Sequence, residues 1–290
     1  MLKSLLFVWV LSANPDVSAQ AYVDAFDYRV GDTGTVSTTV AEALGHESLA
    51  GADYITIYPP SGPQVGIRWI ASSESQYEPM HRLGWSAIEV MVQDPDGLVP
   101  TLDPNHFSIL AEPAYLTTMQ NVRASQVLGP SDELLYLTHI KDTSTSFLNT
   151  PPSESVVGHP FIMVAGTRDL AATLEFFTDT FANPVTPPIP FKIEVLSEVY
   201  GLEAERLHEL ALVRFEDNFG LELDQYPAAA NDIPTSLAQE GGTVLVTASL
   251  DPDRLKRPLN WIATHTDDAG NVIGGVIKLP SGTALEVIFD

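Results

Sequence analysis

Apolar and polar positions in this chain alternate in short runs broken by Pro, Ser, Gly and Asp, a pattern of strands joined by tight turns. The run LLFVWVLS predicts a first strand, and Asn14-Pro15-Asp16 with Val17, Ala21, Val23 and Phe26 at near-helical spacing predicts a helix over about 15–27. A second helical patch, TTVAEALG (38–45), precedes DYITIYPP (53–60) and VGIRWIAS (65–72), two strands joined through Pro60-Ser61-Gly62-Pro63. The order then returns. WSAIEVMV (85–92) reads as a strand, Asp94-Pro95-Asp96 opens a short helix, and FSILAEP, NVRASQVL (121–128) and ELLYLTHI (133–140) follow, the last entered through Pro130-Ser131-Asp132.

A third unit starts at HPFIMVAG, enters a helix at Thr167-Arg168-Asp169 with Leu170, Leu174, Phe177 and Phe181 on one stripe, and ends in LHELALVRF (207–215), the turn EDNFG and LELDQY. A fourth runs from GTVLVTASL (242–250) through Asp251-Pro252-Asp253 to NVIGGVIKL, Pro280-Ser281-Gly282 and TALEVIF. Strand-initiated starts near residues 5, 85, 160 and 244 describe four βαβββ units. Between the second and third lies DTSTSFLNTPPSESVVG (142–158), which has the Ser/Thr/Pro composition of a linker. The expected organisation is an N-terminal unit pair over 1–141, a linker at 142–157 and a C-terminal pair over 158–290 that holds the site.

Composition narrows the function. With 38 acidic against 14 basic residues the formal charge is −24, which repels phosphate backbones and anionic membrane surfaces, so neither nucleic acid nor membrane is an expected partner. The absence of cysteine removes disulfides, thiolate ligands and a Cys nucleophile. Residues 1–21 imitate a secretory signal, with Lys3 ahead of LLFVWVL, but that apolar run is only seven residues long and a helix signal follows directly. A strand and helix in a cytoplasmic protein is the favoured reading. No Gly-rich phosphate loop, dinucleotide fingerprint or G-x-S-x-G elbow occurs.

The stretch HPFIMVAGTRDLAATLEFFTDTF, the closing LPSGTALEV with its P-x-G-x-x-x-E spacing, and the four-unit order resemble the vicinal oxygen chelate superfamily, which includes glyoxalases, extradiol dioxygenases and bleomycin-resistance proteins. The resemblance implies an α+β fold of four βαβββ modules paired into two open, U-shaped sheets. It places a metal-binding His at His159 and Glu ligands at Glu222 and Glu286 in the last strands of the third and fourth modules. The fourth expected position falls at Thr243 to Leu245 and offers no imidazole, so the two-His, one-carboxylate set of extradiol dioxygenases is incomplete. In the first two modules the matching positions are Leu6, Gly66, Ser86 and Tyr136, which makes that half a structural copy or one wall of the cavity.

One His and two carboxylates suit a divalent ion such as Mn, Fe, Zn or Ni, acting as a Lewis acid on a chelating substrate. On the hairpin over 208–226, pairing of Arg214 with Glu222 would put His208, Leu210, Leu212 and Arg214 on one face with Glu222, Asp224 and Tyr226. Arg214 and His208 then become candidates for substrate binding, and Tyr226 and Glu222 for catalysis. Arg214 paired with Glu222 as a cross-strand ion pair, and Tyr226 as a half-buried packing residue, are the plain alternatives. His46, His81, His106, His139 and His265 lie at turns or out of phase and receive no role. The expected function is a metal-dependent lyase, isomerase or dioxygenase acting on a small oxygenated, aromatic-compatible molecule, in a chain compatible with a homodimer. The competing readings are a metal-free binding or resistance protein and a metal-free acid–base enzyme on the same fold.

Overall fold

A computed structural model describes residues 1–72, 77–116, 120–233 and 242–290. The first unit contains β1 (Leu2–Ser12), α1 (Pro15–Phe26), β2 (Arg29–Thr35), α2 (Thr38–Ala43), β3 (Asp53–Tyr58) and β4 (Gly66–Ala71). The second contains β5 (Gly84–Val92), α3 (Pro95–Leu98), β6 (Ser108–Tyr115), β7 (Val122–Leu128) and β8 (Leu134–Ile140). The third contains β9 (Val157–Thr167), α4 (Leu170–Phe176) running into a π-helical turn at Phe177–Phe181, β10 (Ile189–Lys192), α5 (Glu194–Val199), β11 (Leu207–Arg214) and β12 (Gly220–Gln225). The fourth contains β13 (Gly242–Leu250), a 3-10 turn at Pro252–Arg254, β14 (Trp261–Thr266), β15 (Val272–Lys278) and β16 (Ala284–Phe289).

Repetition is visible at the level of single residues. After each first strand an Asx side chain caps the next turn: Asn14 accepts from the Val17 amide, Asp94 from Asp96, Asp169 from Ala172 and Asp251 from Asp253. Before each last strand the chain turns through one left-handed residue, Gly62 (φ 74), Asp132 (φ 60), Asn218 (φ 67) and Gly282 (φ 85). Four residues beyond each of these comes the same sheet position, occupied by Gly66, Tyr136, Glu222 and Glu286.

Among the described residues the strands form two eight-stranded mixed sheets, ordered β14-β15-β16-β13-β1-β4-β3-β2 and β10-β11-β12-β9-β5-β8-β7-β6. The first sheet therefore joins unit four to unit one, through antiparallel pairing of β1 with β13, and the second joins units two and three through β5 and β9. This corrects the expected pairing of consecutive units within 1–141 and within 158–290. The first strands β5, β9 and β13 are buried along their whole length and β1 along most of its own, so their side-chain pattern does not distinguish one partner from another. Each sheet thus takes one half from the N-terminal units, and each cleft has one wall from that half.

Both sheets bury one face in a shared core. In the first, Val8, Val10, Ile57, Ile67, Trp69, Leu285 and Val287 point to this side, where α1 lays Ala19, Tyr22 and Phe26 against β3 and β4. Helix α1 also ties the sheets together: Tyr22 Oη donates to Glu133 Oε1 at 2.7 Å, and Ser18 and Ser131 hydroxyls lie 2.7 Å apart. A second apolar cluster lies on the opposite, cleft side of the first sheet, where Val40, Ala41 and Leu44 from α2 and its end cover Leu11, Ile70, Leu245 and Val276. Helix α2 reaches β14, on the far half of the sheet, and so closes one end of the cleft. Among the described residues no helix is long and apolar enough to cross a membrane.

Candidate functional site

The uncovered part of the first cleft carries a continuous polar row. Trp9 Nε1 on β1 donates to Thr247 Oγ1 on β13 at 2.8 Å, and Thr247 donates to Glu286 Oε2 on β16 at 2.5 Å. The other Glu286 oxygen, Oε1, lies 2.7 Å from His265 Nε2 on β14. A carboxylate only accepts, so His265 carries its proton on Nε2 and presents Nδ1 as a lone pair. Glu286 is 5% exposed, whereas the His265 side chain keeps 20% of its surface open. The hydrogen bond to Glu286 raises the His265 pKa above its ordinary value despite partial burial.

Arg68 on β4 continues the row. Its guanidinium carbon sits 4.2 Å from the Phe7 ring centre, 4.6 Å from Trp9 and 4.1 Å from Tyr54, an aromatic cage around a residue only 8% exposed. Nε donates to Thr56 Oγ1 at 2.9 Å and Nη2 to Asp32 Oδ2 at 3.0 Å, while Tyr58 Oη donates to Asp32 Oδ1 at 2.6 Å. Burial acts to raise the Asp32 pKa, but the Tyr58 hydrogen bond and the Arg68 charge outweigh it and hold the carboxyl below its usual range. The guanidinium is thereby fixed in the cleft.

The second sheet has a different cleft. Register places Glu89 opposite both Ile162 and Tyr136, Glu222 opposite Val164 and Asp224 opposite Gly166, so these side chains share one face. Tyr226 joins them, since a Cβ on Gly166 would lie 2.6 Å from its ring. Desolvation, then the charge of Glu222, pushes Glu89 up to about 8, and desolvation pushes Asp224 up to about 7. Glu222 is raised well above the carboxylate range by burial and by Asp224, against which its carboxyl lies. Such a pair shares a proton.

The residues proposed as metal ligands are not brought together. Glu286 lies in the first cleft and Glu222 in the second. His159 is buried where β9 meets the first unit: its ring is 5.5 Å from Phe219, and a Cβ on Gly62 would lie 3.3 Å from its Nδ1. Only the resemblance put His159 at a metal position; it lies an odd number of residues from Val164, the partner of Glu222, so strand alternation does not give the two a shared face. Burial lowers its pKa to about 4. Both Glu286 oxygens are already engaged, and no group of three His, Asp or Glu among the described residues could hold a metal ion, so the expected donor set does not fit one.

The substrate-binding candidates have other partners. Arg214 pairs with Gly220, two residues from the anticipated Glu222, and its Nη1 donates to the Phe147 carbonyl at 3.3 Å. A shift of two preserves the shared face, so His208, Leu210, Leu212 and Arg214 do lie in phase with Glu222 and Asp224. His208 is buried against α5, 2.9 Å from Ser197 Oγ, and its pKa is lowered by desolvation. Tyr226 is 2% exposed, with its pKa raised far above the ordinary value by burial. His265, Thr247, Trp9 and Arg68 escaped the sequence reading. The available signal was that Thr247 lies two residues from Leu245 in a strand next to that of Glu286.

No family model matches the sequence, and no curated protein does. Solved structures do match. Glyoxalase I from Zea mays superposes with a TM-score of 0.63 at 10% identity, over 98% of this chain and 92% of that one. A putative dioxygenase from Bacillus subtilis subsp. subtilis str. 168 gives 0.61 at 8% identity, over 100% and 86%. The cppA protein from Streptococcus pneumoniae TIGR4 gives 0.50 at 11%, over 100% and 99%. The fold is glyoxalase-like, as in the Zea mays glyoxalase I structure. Among the described residues sixteen strands form two sheets, and each sheet carries its own set of polar residues on one face.

Proposed function

We propose that the first-sheet cleft is the active site of a small-molecule enzyme that moves a proton at a carbon next to a carbonyl group, in a substrate carrying an anionic group. The observation that carries this reading is the His265–Glu286–Thr247–Trp9 chain on the same face as the caged Arg68. Arg68 anchors the anion and the rings of Phe7 and Tyr54 flank the substrate. His265 Nδ1 takes the proton while Glu286 fixes the ring and stabilises the imidazolium. Three interstrand steps separate Glu286 from Arg68, about 14 Å along the sheet before the side chains reach inward, which favours a substrate with several atoms between its anion and its reacting carbon. Of the functions the sequence suggested, this is the metal-free acid–base one, with different residues in the roles.

Exchange of substrate C–H for deuterium in D2O, followed by NMR across a panel of small keto acids and aryl-substituted carbonyl acids, tests it. Exchange is expected to survive chelator treatment and to fall about 10²–10⁴-fold in His265→Asn, and Arg68→Met is expected to raise KM more than it lowers kcat. Exchange that is unchanged in His265→Asn, or that depends on added metal, overturns the reading.

A further inference from the structure

Where the starts of β5, β13 and β16 meet the end of α2, the fold leaves a cavity of about 180 Å³. Trp85, Val244, Ala284 and Ile233 form its apolar wall. Trp85 Nε1 already donates to the Ala284 carbonyl at 2.9 Å, so the indole offers its ring there. The last carbonyls of α2 are engaged as well: Val40, Ala41 and Glu42 accept from the amides of Leu44, His46 and Gly45.

Among the described residues the charged groups lining the cavity are Arg82, Lys278 and Glu42. They are not equivalent, because Arg82 is 7% exposed whereas Lys278 and Glu42 lie at the surface. The backbone of Arg82 is bridged to Asn231, its Nη1 donates to the Leu83 carbonyl at 3.4 Å, and its guanidinium carbon lies 4.9 Å from the centre of the Tyr77 ring. A Cβ on Gly84 would lie 3.5 Å from Nη1, so the absence of a side chain there keeps the space beside the guanidinium clear. With five N–H donors, a guanidinium can serve a guest in addition to its present contacts. Lys278 reaches the cavity from the opposite wall. It pairs with Ala284, two positions along from the Val276–Glu286 pair, at the end of the first sheet.

Two cations face one exposed carboxylate, and solvent screens the exposed Glu42 far more than the buried Arg82. The cavity therefore selects an anion despite the formal charge of −24 on the whole chain. Size and lining set the rest of the guest. An apolar cavity of about 150 Å³ holds benzene, so this one has room for a single ring with a carboxylate on it. Past Ile233, Lys278 and Gly282 it adjoins a wider hollow of about 620 Å³. There Arg168 is bound to Asp232 at 2.8 Å and to the carbonyls of Ala228 and Ala230, and Asp169 accepts from the Ala172 amide. Those paired charges offer an anion nothing further, which places the guest in the inner cavity.

We propose that this cavity binds a single-ring carboxylate anion, with its carboxylate on Arg82 and Lys278 and its ring against Trp85, Val244 and Ala284. Neither His265 nor Arg68 lines it, so the site is separate from the proposed active site and stands without that reading.

Calorimetric titration of the whole chain at pH 7 with sodium benzoate, benzamide, benzylammonium chloride and inorganic phosphate tests the assignment. One saturable site is expected for benzoate, with the other three at least tenfold weaker. Arg82→Gln is expected to weaken benzoate binding at least tenfold. If that variant does not fold, two exposed positions carry the test with opposite signs. Lys278→Met is expected to weaken binding about two- to fivefold and Glu42→Gln to strengthen it by a similar factor. Arg68→Met is expected to leave benzoate binding unchanged, which distinguishes this cavity from the proposed active site. The proposal is overturned by the absence of saturable benzoate binding, by benzamide, benzylammonium or phosphate binding as tightly, by binding unchanged in both Lys278→Met and Glu42→Gln, or by binding lost in Arg68→Met.

Discussion

His159 illustrates how one residue can carry a family signature and a different job. Its ring fills the space over Gly62, whose backbone at φ 74 and missing Cβ admit it. His159→Ala is expected to cost about 1–3 kcal/mol of stability in urea unfolding, through lost packing against Phe219, while leaving turnover within twofold. A loss of turnover beyond tenfold with stability intact would return His159 to the site. Its titration has a definite sign: with a folded pKa of about 4 against 6.5 unfolded, it lowers stability as pH falls from 6.5 to 4. The strand position of Glu286 was legible because P-x-G-x-x-x-E marks both the turn and the register after it. Arg68 was not, because an Arg in a strand reads as a solvated charge until Phe7, Trp9 and Tyr54 are seen around it.

At the scale of elements, strands with apolar alternation were readable and the outer strands β2 and β14 were not. RVGDTGT of β2 is almost entirely exposed and WIATHT of β14 alternates only between half-buried and exposed, so neither shows the buried face that gives a strand its pattern. Missing β14 hid the phase of His265, and with it the partner of Glu286. The connection between elements also matters for stability. Tyr22 on α1 supplies one hydrogen bond to Glu133, which is 1% exposed and also accepts from the Ser131 amide at 2.8 Å. Tyr22→Phe is expected to destabilise by about 1–3 kcal/mol in chemical denaturation, because the remaining buried carboxyl loses a donor. An unchanged midpoint would mean that Glu133 is otherwise satisfied.

For the whole molecule, the buried acids set the response to pH. Glu89 at about 8, and Asp224 and Glu133 at about 7, hold protons in the fold that the unfolded chain releases near 4. Their contribution is complete below the unfolded values and is lost as pH rises through the folded ones. The thermal midpoint is accordingly expected to fall between pH 6.5 and 8.5, with a shallower fall in Glu89→Gln; a midpoint that climbs over this range would contradict the buried-acid assignment. The four-unit architecture was legible from the order of elements, yet which units share a sheet was not, since all four first strands are apolar and interchangeable in pattern.

That pairing bears on the order of events during synthesis. The middle two units, joined by the linker after β8, can complete their sheet while the ribosome is still making the fourth. The chain's first strand cannot, because its antiparallel neighbour begins at Gly242. Until then LLFVWVLS is an apolar edge waiting on a contact more than two hundred residues away, the segment on which a nascent chain of this design is most exposed to mispairing.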